Sequence, residues 1–192
     1  MKALVVGIFC LLATALGAQA KSTGGSGLAD ATVVIIRHGE KPDSGPELSP
    51  EGQAHAQAYV GYFQHLVLDG VPFRPDVLVA SADSKNSARE RLTLAPLAQA
   101  LKLPIDQRFA DKDIKPLFEA LASENHGKSI LIAWHHGELA KLLHAFGADP
   151  DALLPDGKWP DSVFNWTVVL RYDHAGQLIP GSAQILKQDF AK

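Results

Sequence analysis

The sequence predicts an α/β fold: a three-layer α/β/α sandwich with a mainly parallel central sheet. Two observations carry the expectation. Short, continuous apolar runs rich in β-branched residues read as strands buried on both faces. Between them lie segments with apolar residues at helical spacing, and such alternation means βαβ units with helices on both faces of the sheet. The 192 residues, 46% hydrophobic and 20% charged, suffice for one domain with a real core. Gly and Pro, at 16 and 12 residues, are unexceptional, which excludes collagen-like, coiled-coil and largely disordered chains. The net charge is −3, from 18 Lys+Arg against 21 Asp+Glu. Such a chain has no global field for nucleic acid or an anionic membrane. Any anion it binds must be held by a local site.

The first twenty residues stand apart. Met1-Lys2 is a short basic start, Ala3 to Ala18 is apolar and small, and Ala18-Gln19-Ala20 is a small-x-small cleavage site. Together they read as a signal peptide over 1–20, followed by a flexible polar segment over 21–30. The expectation is an exported protein, periplasmic or secreted, with no membrane span in the mature chain. Removal of the leader would take Lys2 and Cys10, leaving 17 basic and 21 acidic residues and no cysteine. Disulfides, a thiolate metal site and a cysteine nucleophile are then excluded.

One domain is expected over 31–192. Thr32-Val33-Val34-Ile35-Ile36 is its first strand. Ser49-Pro50-Glu51 supplies an N-cap, a Pro at the first helical position and an early acid, and Ala54, Ala58, Tyr62 and Leu66 follow at helical spacing. Asp76-Val77-Leu78-Val79-Ala80 is a second strand, followed by a helix with Ala88, Leu92, Ala95 and Ala98 on one face. Ser129 to Trp134 is a third strand. Glu138 to Phe146 reads as a helix stopped by Gly147, and Val163 to Tyr172 as a late strand.

The informative residues sit where strands end. Arg37-His38-Gly39-Glu40 follows the first strand. Ser81-Ala82-Asp83 and then Arg89 follow the second, and His135-His136-Gly137-Glu138 follows the third. Open α/β sheets bind ligands beyond the carboxyl ends of their strands. Arginine presents a planar fork that matches phosphate oxygens. Two arginines could neutralise a phosphoryl group, and a neutral histidine held in one tautomer could attack phosphorus. Arg91 reads as part of a solvated helix face. His55, His65, His126, His144 and His174 read as structural or solvated. The segment from Trp159 to Phe164 is read either as bordering the crevice or as a packed aromatic anchor.

These blocks together resemble the histidine phosphatase superfamily, also called phosphoglycerate mutase-like. The resemblance runs from about Ala31 to Tyr172. It rests on Val34-Ile35-Ile36-Arg37-His38-Gly39-Glu40, on Ser49-Pro50-Glu51-Gly52-Gln53, and on Ser81, Arg89, Thr93 and Ala95 to Ala98. The last block is Ile130 to Gly137. The resemblance implies that His38 is the nucleophile and that Arg37, Arg89 and His136 complete a phosphate pocket. His136 is preferred to His135 because it directly precedes the glycine. Glu40 is a further candidate for substrate binding. A carboxylic acid must protonate the leaving group, and Asp111 ranks ahead of Asp113, Glu138 and Glu40, with Asp113 better placed as a helix N-cap. No cofactor is expected, and no metal: no ligand spacing such as His-Glu-x-x-His occurs. The expected activity is metal-independent hydrolysis of a small phosphomonoester through a phosphohistidine. The alternatives are a catalytically silent phosphate- or glycan-binding module on this fold, and a metal-dependent phosphoesterase.

Overall fold

The computed structural model describes residues 27–188. The expected leader, 1–20, and residues 21–26 lie outside them. In chain order the elements are β1 (Thr32–Arg37), α1 (Pro50–His65), the hairpin β2 (Val67–Leu68) and β3 (Val71–Pro72), β4 (Val77–Ala80) and α2 (Arg89–Leu101). Then come β5 (Ile105–Asp106), α3 (Ile114–Glu124), β6 (Ser129–Trp134), α4 (Leu139–Ala145), α5 (Pro150–Leu153), β7 (Trp166–Arg171) and β8 (Gln184–Lys187). The main sheet runs β5-β4-β6-β1-β7-β8. Neighbours from β5 to β1 are parallel, and β7 is antiparallel to both β1 and β8. Among the described residues no helix is long and apolar enough to cross a membrane.

Strand side chains alternate between two cores, as a strand's twofold period requires. Val33, Ile35, Val79, Ile130 and Ile132 face a core closed by Leu117 and Leu121 of α3 and Leu139, Leu142 and Leu143 of α4. Val34, Ile36, Leu78, Ala80 and Leu131 face a second core, closed by Tyr59 and Phe63 of α1 and Leu94 and Leu97 of α2. The expected three layers are present.

Local signals set several boundaries. Ser49 Oγ accepts the Gly52 N–H at 3.1 Å, with Pro50 at the first helical position. Gly147, at φ 84°, ends the α4 region in the left-handed conformation that favours glycine, its N–H donating to His144 O. Other expectations need correction. The buried face of α1 is Gly52, His55, Ala56, Tyr59 and Phe63, and Ala54 is exposed. The buried face of α2 is Arg89, Glu90, Thr93, Leu94, Leu97 and Ala98. Alanines gain little from burial, so the larger side chains take the sheet. Of the expected α2 face, Ala98 is buried, while Leu92 and Ala95 line the α1–α2 seam with Leu48 and Ala56. The late strand starts at Trp166 rather than Val163. Packing also begins within the segment expected to be flexible: Leu28 is buried and the Asp30 N–H donates to Asp173 O.

The chain after β1 is locked to the start of α1. The Ser49 N–H donates to Glu40 O at 2.9 Å. A Cβ on Gly52 would lie 2.4 Å from Glu40 O and 2.8 Å from Glu40 N, so only glycine lets the helix start approach this closely. Gly61, exposed in the same helix, has open space around it. Gly52→Ala should therefore lower stability by ~1–3 kcal/mol through overpacking. Gly61→Ala should raise it by ~0.4–1 kcal/mol by restricting the unfolded chain. Thermal denaturation of the two variants checks this, and an unchanged Tm for Gly52→Ala would contradict the close contact.

Candidate active site

The site follows from register. In the β4-β6-β1 ladder Ala80 is level with Ala133, and Arg37 with Trp134. The backbone N–H of His38 continues the pairing, donating to Trp134 O at 3.2 Å. His38 and His135 thus leave the sheet from adjacent strands at the same level, at its carboxyl edge.

His38 is buried. Its Nδ1 lies 2.7 Å from Gly39 O. A ring nitrogen facing a carbonyl must carry the proton, so Nε2 keeps its lone pair. The Gly39 N–H donates to Thr93 Oγ1 at 2.8 Å, and that hydroxyl donates to Arg89 O at 2.7 Å. The histidine's loop is thereby fastened to α2. Burial pushes the His38 pKa down to about 3, helped by the charges of Arg37, Arg89 and His135 and opposed by the Gly39 bond. The ring is neutral at physiological pH.

Arg37 is also buried. Its Nη1 donates to the carbonyls of Pro160 (3.2 Å), Asp161 (2.6 Å) and Val163 (3.0 Å). Its guanidinium lies 3.7 Å over the Phe164 ring. Arg89 donates from Nη1 to Gly45 O and from Nη2 to Asn86 O, both at 3.2 Å. In each arginine the buried Nε–H has no acceptor among the described residues. Burial lowers the Arg37 pKa to about 10, against the pull of Asp161 and Glu40, and leaves it charged. Arg91 pairs with Asp83 at the surface, as expected of a solvated face.

His135 and His136 occupy the turn after β6. The His38 ring centroid is 5.7 Å from that of His135 and 5.9 Å from that of His136. His135 Nδ1 accepts the Gly137 N–H at 3.3 Å. His136 Nε2 lies 3.2 Å from Asp161 Oδ1, and its Nδ1 is buried without a partner. Burial, then the charges of Arg37 and His135, hold the His136 pKa below the ordinary value. One nitrogen from each of His38, His135 and His136 lies within 4.8 Å of the others, a cluster that could hold a metal ion. No ligand spacing in the sequence announces it, because β1 and β6 supply its parts.

The acids differ in their commitments. Glu40 accepts from His55 Nδ1 at 3.1 Å. Burial disfavours its charge, but the His55 bond and the Arg37 charge hold its pKa below the usual carboxylate range. Glu138 pairs with Lys141 at 2.8 Å. Asp111 receives the Trp134 indole N–H on its backbone carbonyl at 3.0 Å, which ties its loop to the end of β6. Asp113 precedes α3 but does not cap it with its side chain. Its carboxylate accepts from the Ala110 N–H instead, because the turn runs back from Asp113 N–H to Ala110 O. Three residues take individual positions that local spacing does not specify. Asp161 and Phe164 reach the site from the segment before β7, and His55, a buried structural histidine as expected, holds Glu40. The segment plays both parts considered for it: Trp159 is buried in the core and its indole donates to Val163 O at 2.8 Å, closing the loop, while the carbonyls of Pro160, Asp161 and Val163 border the site.

No family model and no curated protein matches the sequence. Solved structures do match. A candidate phosphohistidine phosphatase, SixA, from Agrobacterium tumefaciens is 20% identical, with a TM-score of 0.55 over 83% of this chain and 99% of that one. A mutant phosphoserine phosphatase of Entamoeba histolytica, solved with phosphoserine, is 13% identical, with a TM-score of 0.53 over 80% and 96%. A candidate alpha-ribazole-5'-P phosphatase from Escherichia coli is 16% identical, with a TM-score of 0.51 over 82% and 96%. At these identities the likeness is one of architecture: the chain shares its fold with these three solved structures.

Proposed function

We propose that this chain is a phosphatase that hydrolyses a small phosphomonoester through a phosphohistidine at His38, without a metal. One observation carries the reading. A buried neutral imidazole with its Nε2 lone pair free stands among two guanidiniums, each with a buried N–H lacking an acceptor. Buried donors are normally satisfied, and a phosphoryl group supplies acceptors of matching charge. In the first step the Nε2 lone pair attacks phosphorus. The bond from phosphorus to the leaving oxygen breaks, and that oxygen takes a proton from an acid. The Gly39 carbonyl stabilises the positive charge developing on the ring. In the second step water attacks phosphorus, the N–P bond breaks with its electron pair returning to Nε2, and the acid regains a proton from the water. Arg37, Arg89 and His136 neutralise the equatorial oxygens throughout. Glu40 acts at the margin, its carboxylate being taken up by His55. The leader-like start of the sequence supports export to the periplasm or exterior.

His38→Ala should fold and lose nearly all turnover. Acid-quenched wild-type protein should carry an acid-labile phosphoryl group on His38. Arg89→Ala should cost ~2–4 kcal/mol in turnover and in oxyanion binding. EDTA should leave the rate intact. Activity lost to EDTA and restored by a divalent metal would sink the metal-independent mechanism.

His136 gives a pH dependence. Its Nε2–H is directed at Asp161, so its Nδ1 must gain a proton to donate to an oxyanion. The free chain holds its pKa below the ordinary value, and a bound dianion raises it. Between the two values binding takes up a proton, so affinity falls as pH rises, by up to ~tenfold per unit. Tungstate titrations by calorimetry across neutral pH should show this slope, and His136→Asn should flatten it. A slope retained in the variant would remove His136 from the role.

Asp111 is proposed as the proton donor, on the strength of its loop's tie to the end of β6. Asp111→Asn should slow alkyl phosphates far more than p-nitrophenyl phosphate, whose leaving group needs little protonation. Asp161→Asn, measured beside it, carries the competing assignment. Selective slowing in that variant alone would transfer the role to Asp161.

A further inference from the structure

We propose that His38, His135 and His136 together bind a divalent transition-metal ion of the zinc class, and that the bound ion reversibly shuts off phosphoryl transfer. The second half rests on His38 being the nucleophile; the first does not. Zinc takes imidazole nitrogens at about 2.0–2.1 Å in a tetrahedral arrangement, which sets ligand nitrogens roughly 3.4 Å apart. The three nitrogens here already lie within 4.8 Å of one another, so small ring rotations close the set. The surroundings have the form that orients metal-bound histidines, with an outward ring N–H held by an oxygen. His38 Nδ1 is held by Gly39 O at 2.7 Å, and His136 Nε2 faces the Asp161 carboxylate at 3.2 Å.

The buried His136 Nδ1 lacks any partner among the described residues. A metal ion would satisfy its lone pair without adding a proton. If His135 binds through Nδ1, the ion competes with the Gly137 N–H contact, which is long at 3.3 Å. Charge does not forbid the site. Arg37, Arg89 and Lys41 oppose a dication, while Asp161 beside His136 favours it, and Asp161 and Glu40 both act on Arg37. Three imidazoles suit zinc, cobalt, nickel and copper, and they do not suit magnesium, which demands oxygen ligands. Coordination consumes the lone pair on His38 that would otherwise attack phosphorus. An oxyanion and the ion therefore exclude one another.

The test uses the purified chain with zinc chloride as the probe. Equilibrium dialysis should find one zinc per chain, displaced by tungstate, while magnesium is not retained. His135→Gln and His136→Gln should each weaken zinc at least about tenfold, as loss of one of three ligands requires. Circular dichroism of both variants reports their folding. Inhibition, scaled to each variant's own metal-free rate, should shift to higher zinc in step with the affinity. No retained zinc, or zinc binding unchanged in both variants, would overturn the site. Stimulation by zinc, or zinc that tungstate fails to displace, would overturn the blocking role. Trapping of phosphohistidine in metal-free protein reads the phosphatase assignment separately. A chain that binds zinc through these histidines and never traps phosphate would refute that assignment while leaving the metal site standing.

Discussion

The parallel pairing of β1 with β6, Arg37 level with Trp134, is the constraint on which the rest of the site depends. It sets His38 beside the two histidines after β6. The other neighbour of β1 matters as much. β7 runs antiparallel to β1, with Thr167 opposite Ile36, so it begins where β1 ends. The loop entering β7 therefore arrives over the carboxyl edge of the sheet and gives Arg37 three carbonyls and the Phe164 face. A parallel β7 would deliver that loop to the opposite edge and leave the Arg37 guanidinium buried without acceptors. The one antiparallel pairing next to β1 is thus part of the site's construction.

Burying two guanidiniums and a histidine at one edge carries a desolvation cost, and the structure offsets it unevenly. Arg37 is satisfied on one side by backbone carbonyls and an aromatic face, and Arg89 by Gly45 O and Asn86 O. Among the described residues the buried Nε–H of each, and His136 Nδ1, have no partner. An unpaired buried polar group costs about 1–3 kcal/mol. That cost is the counterpart of preorganisation: the donors are fixed before a ligand arrives and need not reorganise when charge develops on it. The rigidity comes from the neighbouring loops. Thr93 ties the Gly39 amide to α2, Ser49 ties Glu40 to the start of α1, and Gly52 allows the contact by having no side chain.

The sequence reading was strongest where the signal is local and weakest where it depends on a neighbour. Strands β1, β4 and β6 stood out because a strand buried on both faces must be apolar at every position. The start of α1 was legible from Ser49-Pro50 and the end of α4 from Gly147, each through the chemistry of its own turn. The inward faces of α1 and α2 are set by packing: helical spacing of apolar residues does not say which side meets the sheet, and Tyr59, Phe63, Leu94 and Leu97 go to it. β8 and the β2–β3 hairpin were not anticipated. The hairpin spans two residues a side, too few to show a period.

The fold class, the strand ends that carry Arg37, His38, His135 and His136, and the helix start that carries Arg89 are legible in the residues alone. Those are properties of contiguous stretches, governed by periodicity, capping and the placement of polar residues after buried strands. Tertiary structure alone decided which of these ends meet and what surrounds them. Strand order and direction put Asp161 against His136, and the packing of α1 against the chain after β1 put His55 on Glu40. The fold also drew three imidazoles from two strands into one cluster. Through-space geometry between residues such as Arg37 and Val163, 126 positions apart, has no signature in local spacing, because strand order and direction, not sequence distance, set their separation.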